Sequence, residues 1–386
     1  MKNPCRKEAP EENLRFMTVL IRVDASVSIG TGHVMRCLTL ANALRARGCT
    51  VTFVCREHEG HLCDQIDASG FEVCRLPAPI DTATLPKRDD YRAWLGVSQN
   101  TDAEQTLACR HRDDAPADWL VVDHYGLDAA WENRVRCLAR STLVIDDIAN
   151  RQHACDVLLD QNLNLFPERR YWSRVPKSCR LLLGPQYALL REEFTTAASD
   201  LRRRSGDIGR ILIFFGGTDP SGETLKACRA VAREISAEVT VDVVVGAVNP
   251  RREGIARFCR ADARFRYHHR ISNMAELIRD ADLAVGAGGT TAWERTFLGL
   301  PTLTIAVAEN QVDGTEALAA QGAVRYLGTR DTVTEEHIAA TLRALLRNPK
   351  SLLAMGQKCL DIYGPDRAPG VDWVVAAMDE VSHTRA

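Results

Sequence analysis

A chain of 386 residues with 45% apolar residues is long enough for two ordinary hydrophobic cores, so two domains are the first expectation. The formal net charge is -2 and no basic block stands out, which argues against nucleic acid or an anionic membrane as the main partner and leaves a small molecule. Thirteen cysteines lie scattered without the repeated close spacing of a zinc site, so they read as mostly reduced, small, buried residues, and no metal is expected.

The charged first dozen residues lack the apolar run of a signal peptide and are expected to be mobile; with no long uncharged apolar stretch later, the expected location is the cytoplasm. A buried strand is predicted over 17–23 and a helix over 34–47, closed by Gly48. Between them, Gly30-Thr-Gly-His33 sets two glycines and a histidine at the helix mouth, beside backbone N–H groups with no intrahelical partner. Further strands are predicted at 50–55, 119–122 and 142–145. The stretch 77–116 is the least regular, with one helix through 102–112. A second series of strands, at 210–215, 239–245, 282–285 and 302–307, alternates with helices in the same way. Such alternation is the signature of parallel α/β sheets. The polar, basic stretch 195–209 reads as the linker, which divides the chain into an N-terminal extension 1–16, a Rossmann-like domain 17–200 and a second Rossmann-like domain 201–386. Open parallel sheets bind ligands beyond the carboxyl ends of their strands, so the cleft between the domains is the expected site.

Three glycine clusters sit at such strand ends. Gly30-Thr-Gly-His33 suits a helix cap, a phosphate loop or a proton-transfer site, since histidine titrates near neutral pH. Phe214-Phe-Gly-Gly-Thr-Asp-Pro-Ser-Gly222, before a helix over 223–235, offers backbone N–H groups to a phosphate, or is a purely structural turn; it lacks both the Walker and the dinucleotide patterns. Val285-Gly-Ala-Gly-Gly-Thr-Thr-Ala-Trp-Glu294 combines glycines at a helix start, which suit a diphosphate, with a carboxylate a turn later that can accept ribose hydroxyls; the alternative for Glu294 is a helix-surface charge. Polar clusters at 121–128, 144–148, 158–163 and 306–311 follow apolar strands and are expected to project into the same cleft. No metal-ligand spacing and no Gly-x-Ser-x-Gly elbow appears.

These motifs in this order resemble the cytoplasmic UDP-sugar hydrolases of pseudaminic acid biosynthesis, which release UDP from UDP-2,4-diacetamido-2,4,6-trideoxy-β-L-altropyranose. The resemblance runs from about Val19 to Ala376; its further markers are Arg22-Val-Asp-Ala-Ser26, Val122-Asp-His-Tyr-Gly-Leu-Asp128, Ile145-Asp-Asp147, Leu159-Asp-Gln-Asn162, Leu183–Arg191 and Glu309-Asn-Gln311. It implies a GT-B-like fold, similar to the glycosyltransferase that adds N-acetylglucosamine to a peptidoglycan lipid, with UDP mainly on the second domain. By the same resemblance, Glu294 takes the ribose hydroxyls, Gly217 and the loop Ala287, Gly288, Gly289, Thr290, Thr291 hold the diphosphate, and backbone near Ile271 holds the uracil. His33 is then the catalytic base on water, with Asp24, Gly32, Arg36, Asp123, Tyr125 and Asn310 around the sugar. Either Asp24 or Asp123 orients the imidazole, and no cofactor is implied. The competing expectations are a GT-B glycosyltransferase with a UDP-sugar donor, a hydrolase for a related UDP-sugar of another nonulosonic acid pathway, and a nucleotide-sugar sensor with an idle His33. The first-domain helices show no long apolar surface, which favours hydrolysis over transfer to a membrane acceptor, and a monomer is adequate for a cleft enzyme.

Overall fold

A computed structural model describes residues 17–79, 91–110, 115–246, 248–269, 271–364 and 367–385; the expected mobile start lies outside the described residues. The first sheet contains β1 (Thr18–Val23), β2 (Thr50–Arg56), β3 (Glu72–Leu76), β4 (Ala117–Asp123), β5 (Ala139–Ile145), β6 (Val157–Asp160) and β7 (Arg180–Leu183) in the order β3-β2-β1-β4-β5-β6-β7. The second contains β8 (Arg210–Phe214), β9 (Thr240–Val245), β10 (Phe265–His269), β11 (Leu283–Ala287), β12 (Thr302–Ala306) and β13 (Arg325–Thr329) in the order β10-β9-β8-β11-β12-β13. Every pairing in both sheets is parallel.

The interior strands are runs of Val, Ile and Leu because helices cover both faces of a parallel sheet. In β1, Val19 and Ile21 face one core with Leu40 and Leu44 of the helix Gly32–Ala46, while Leu20 faces the other core with Trp131 and Val144. The second sheet repeats this plan, with Ile211 and Ile213 in one core and Leu212 in the other. In each sheet the strand order reverses beside the first strand, between β1 and β4 and between β8 and β11. Such a reversal leaves a crevice at the carboxyl edge, because the two connections depart in opposite directions.

The strands that the sequence did not predict include all four sheet edges, β3, β7, β10 and β13. An edge strand has one unpaired side and a shorter apolar run, as Phe265-Arg-Tyr-His-His269 shows. The helix expected over 102–112 is Gln99–Ala108; residues 111 and 112 lie outside the described residues.

Three features depart from the expected organisation. The chain enters the second domain before the expected linker, since Leu190 and Phe194 already pack with Leu212, Leu277 and Trp293. The last helix, Gly370–Arg385, returns to the first domain, where Val374, Val375 and Met378 join the core of Val19 and Leu44, and Trp119 Nε1 donates to Ser382 Oγ at 2.9 Å. Finally, Cys74 on β3 and Cys109 form a disulfide, whereas the other described cysteines are free and eight of these ten are buried.

Candidate functional site

His33 is the second residue of the helix Gly32–Ala46 and stands over the β1/β4 crevice. Its side chain does not cap the helix. It turns instead to Asp123, the last residue of β4, with Nδ1 and Oδ1 2.6 Å apart. A carboxylate only accepts, so the contact calls for the proton on Nδ1; in the neutral ring the lone pair then lies on Nε2, which has no hydrogen-bond partner among the described residues.

Arg36, one turn further along the same helix face, donates from Nε to Asp123 Oδ2 at 2.6 Å and from Nη2 to Oδ1 at 2.7 Å. Burial alone would raise the Asp123 pKa, but Arg36 and His33 together hold it well below the usual carboxylate range. Asp123 is therefore a fixed anion behind the imidazole. Arg36 also donates from Nη1 to Asp147 Oδ2 at 2.6 Å, and Tyr125 donates its hydroxyl to the same oxygen at 2.6 Å. The Tyr125 ring meets the His33 ring edge-on, centroids 4.6 Å apart, so packing and hydrogen bonding hold the imidazole together.

Asp123 is thus the residue that orients His33. Asp24, expected near the sugar or the imidazole, is fully buried below the site, bonded by Arg22 Nη1 at 2.6 Å and Nη2 at 2.8 Å and by the Arg56 backbone N–H at 2.7 Å. Arg22 reaches on to Asp102 (Nη2 to Oδ2, 2.6 Å), and Arg56 and Trp131 close that network. Asp24 braces the sheet and has no surface to offer a ligand. Arg36 and Asp123 likewise stand behind His33, with their donors and acceptors committed to each other and to Asp147. Of the other strand-end carboxylates, Asp146 and Asp160 are turned inward, onto Arg151 and Ala149 and onto Asn162, Asn164 and Tyr171 respectively. Four polar clusters follow strands, but only part of each faces the cleft.

On the second domain, β8 is followed by Phe215, Gly216 and Gly217, and Gly216 has a φ of 88°. Asp219 closes the turn by accepting from the N–H groups of Glu223 (2.9 Å) and Thr224 (3.0 Å) at the start of the helix Glu223–Glu234. Behind it, a Cβ on Gly246 would lie 2.0 Å from the Gly217 carbonyl oxygen, so this loop is stacked backbone on backbone. After β11, Ala287 and Gly288 lead to Gly289, the N-cap of the helix Thr290–Phe297, which receives no side-chain cap. Its leading N–H groups are the positive end of a helix dipole. Arg295 donates to the Ala287 carbonyl at 2.6 Å and to Thr291 Oγ1 at 3.0 Å, which fixes the loop from beneath. Glu294 is buried; Arg191 Nη2 lies 3.4 Å from its Oε1, and its Oε2 has no hydrogen-bond partner among the described residues. Ile271 follows β10, two strands from β8, and packs against the apolar cluster around Met274.

The two crevices face each other. A Cβ on Gly32 would be 3.2 Å from Thr290 Oγ1, and one on Gly217 would be 2.7 Å from Thr31 Oγ1, so both glycines allow the loops to meet. Asn310 Nδ2 donates across the cleft to the Tyr125 hydroxyl at 3.3 Å, and Arg170 Nη1 lies 3.4 Å from Asp313 Oδ2. Next to Tyr125, a cavity of about 330 Å³ is lined by Asp147, Asn150, Asn162, Asn164, Arg170 and Asn310. The structure thus brings His33, Arg36, Asp123, Tyr125 and Asn310 together and sets Gly32 against Thr290, while Asp24 stays apart. Asp147 and Arg170 are additions; Asp147 belongs to the Ile145-Asp-Asp147 marker, but only its double contact with Arg36 and Tyr125 shows a role. Among the described residues no group of three or more His, Cys, Asp or Glu is placed to hold a metal ion, and no helix is long and apolar enough to cross a membrane.

Residues 211–361 match the glycosyltransferase family 28 C-terminal domain. The chain is 25% identical to the UDP-2,4-diacetamido-2,4,6-trideoxy-beta-L-altropyranose hydrolase of Campylobacter jejuni over 79% of its own length and 97% of that protein. It is 23% identical to the spore coat polysaccharide biosynthesis protein SpsG of Bacillus subtilis, over 83% of this chain and 86% of that one. An uncharacterized Methanocaldococcus jannaschii protein is 25% identical over 75% of this chain, which spans only 55% of that relative. Among solved structures, Acinetobacter baumannii MurG superposes with a TM-score of 0.59 at 16% identity, covering 94% of this chain and 99% of MurG. Arabidopsis thaliana UGT89C1 complexed with UDP gives 0.63 at 15% identity, covering 94% and 99%.

Proposed function

We propose that this chain, a member of the GT-B-like superfamily whose second domain is of the glycosyltransferase family 28 C-terminal type, hydrolyses a UDP-linked diacetamido-trideoxyhexose to UDP and the free sugar. The substrate reading draws on the resemblance to the Campylobacter hydrolase, which nearly the whole length of that relative supports. The observation that carries the chemistry is the His33–Asp123 pair, with Nδ1 spent on a carboxylate and Nε2 without a partner.

In this reading UDP lies on the second domain, its diphosphate at Gly217 and the N-terminus of the helix Thr290–Phe297, its ribose at Glu294 and its uracil near Ile271. Water attacks the anomeric carbon, the bond to the UDP oxygen breaks, and His33 Nε2 takes the proton of the attacking water. The imidazolium so formed rests against the Asp123 anion, and the leaving diphosphate meets backbone N–H groups at the helix start. UDP is a good leaving group, so a single base suffices; such assistance typically contributes about 10²–10⁴-fold. Tyr125, Asn310 and the polar cavity beside them surround the sugar.

Transfer to an acceptor is the second reading. Leu165, Phe166 and Trp172, which flank the short helix Pro167–Tyr171, are 70%, 62% and 83% exposed, and exposed apolar side chains at the surface of the first domain favour this reading. The cavity walls themselves, however, are mostly amide and charged groups, which suit a polar sugar and water. Purified protein incubated with the UDP-sugar and no acceptor should release UDP with multiple turnovers. Release only upon addition of an acceptor would establish transfer.

A further inference from the structure

We infer that Arg191 is a positioning residue for the nucleotide: it holds one oxygen of Glu294 so that the other is presented to the ribose hydroxyls. The inference rests on the reading of Glu294 as the ribose acceptor and adds the residue that makes it one.

Two arginines lie close enough to influence this buried carboxylate, and one of them is committed elsewhere. Arg295 gives Nη2 to the Ala287 carbonyl and Nη1 to Thr291, so its fork braces the glycine loop. Arg191 comes from the segment that carries the chain from the first domain into the second, immediately before the helix Glu192–Ala198. Its Nη1 pairs with Glu193, and its guanidinium carbon lies 5.0 Å from the centroid of the Phe194 ring. Anchored on those two sides, it leaves Nη2 3.4 Å from Glu294 Oε1. Glu294 Oε2, buried and without a partner, is the oxygen left to accept.

A lone buried carboxylate would favour its neutral form, and burial, with Glu193 adding to the push, holds Glu294 above the usual carboxylate range; Arg191 is the largest charge acting the other way and limits that rise. An ionised carboxylate accepts only, which matches the two donor hydroxyls of a ribose. A carboxyl group that is protonated, or free to rotate, would lose that match. The expected result is selectivity for ribonucleotide over deoxyribonucleotide that depends on Arg191.

The test uses the full-length protein and calorimetric titration with UDP and with 2′-deoxy-UDP. Wild type should bind UDP about tenfold or more tightly, since a hydrogen bond to a buried charged group is lost in the deoxy analogue. Arg191→Gln should reduce that preference to within about threefold while changing the affinity for 2′-deoxy-UDP by less than about twofold, and Arg191→Lys should restore part of the preference. If Arg191→Gln keeps the wild-type preference, or weakens both nucleotides equally, the inference is overturned. Glu294→Gln separates the two levels: if wild type and Glu294→Gln show the same preference, Glu294 does not read the ribose and the underlying site assignment fails, whatever Arg191 does.

Discussion

Replacing Asp123 by Asn tests the base assignment through its supporting residue. Oδ1 faces His33 Nδ1 at 2.6 Å and Arg36 Nη2 at 2.7 Å, and Oδ2 faces Arg36 Nε at 2.6 Å. An amide must put its NH₂ at one of these places. At the Oδ2 position it confronts the Arg36 Nε–H, donor against donor. At the Oδ1 position it donates to His33 Nδ1, which moves the imidazole proton to Nε2 and removes the lone pair that should accept from water. Either arrangement abolishes the productive tautomer or strains the Arg36 contact. The expected loss in kcat is about 10²–10⁴-fold, equivalent to roughly 3–5 kcal/mol of transition-state stabilisation. Stability should fall less, by about 1–3 kcal/mol, because Arg36 keeps Asp147 and one acceptor at position 123. The assay is UDP release under single turnover, with UDP binding and thermal unfolding measured on the same sample. Turnover within threefold of wild type in a folded, UDP-binding variant would mean that Asp123 does not set the His33 tautomer.

Three further outcomes follow from the packing. Gly246→Ala places a methyl group 2.0 Å from the Gly217 carbonyl oxygen and 2.4 Å from its Cα, so the loop after β8 must move; UDP affinity should drop and stability should fall by about 1–3 kcal/mol, whereas Gly254→Ala, with open space around it in the helix Arg252–Ala261, should leave binding unchanged. Burial opposes charge on His153, but Asp146 and Glu132 raise its pKa to about 9, above the unfolded value near 6.5. Its stabilisation is fully present below pH 6.5 and is lost as pH rises through 9; the thermal midpoint should decline over that window by the equivalent of roughly 3 kcal/mol, and His153→Gln should flatten the decline. Reducing the Cys74–Cys109 disulfide opens a crosslink across 35 residues, worth up to about 4 kcal/mol in chain-entropy terms, so melting under reductant should occur at lower temperature, and Cys74→Ser should remove the difference.

Much of this was legible because strand ends in parallel sheets are marked by glycine and polar residues. The clusters at Gly30, Gly216 and Gly288 lie at or beside the two crevices, as their positions after apolar runs implied. What sequence left undecided was which carboxylate serves His33, because Asp24 directly follows β1 and Asp123 ends its neighbour β4; only the direction of each side chain, one onto Arg22 and one onto His33, separates them. Asp147 was hidden for a similar reason, since its partners Arg36 and Tyr125 lie 111 and 22 residues away. The last helix looked like any amphipathic helix of the second domain. Its return to the core of Val19 depends on tertiary packing that periodicity does not encode.

Hydrolysis driven by His33 is tested by UDP release from UDP-2,4-diacetamido-2,4,6-trideoxy-β-L-altropyranose without acceptor, by wild type and His33→Asn, alongside UDP affinity. Wild type should release UDP steadily, the variant at least about 10²-fold more slowly, and the two should bind UDP with affinities within about twofold of each other. Equal release by both proteins, or none by wild type, would contradict hydrolysis driven by His33.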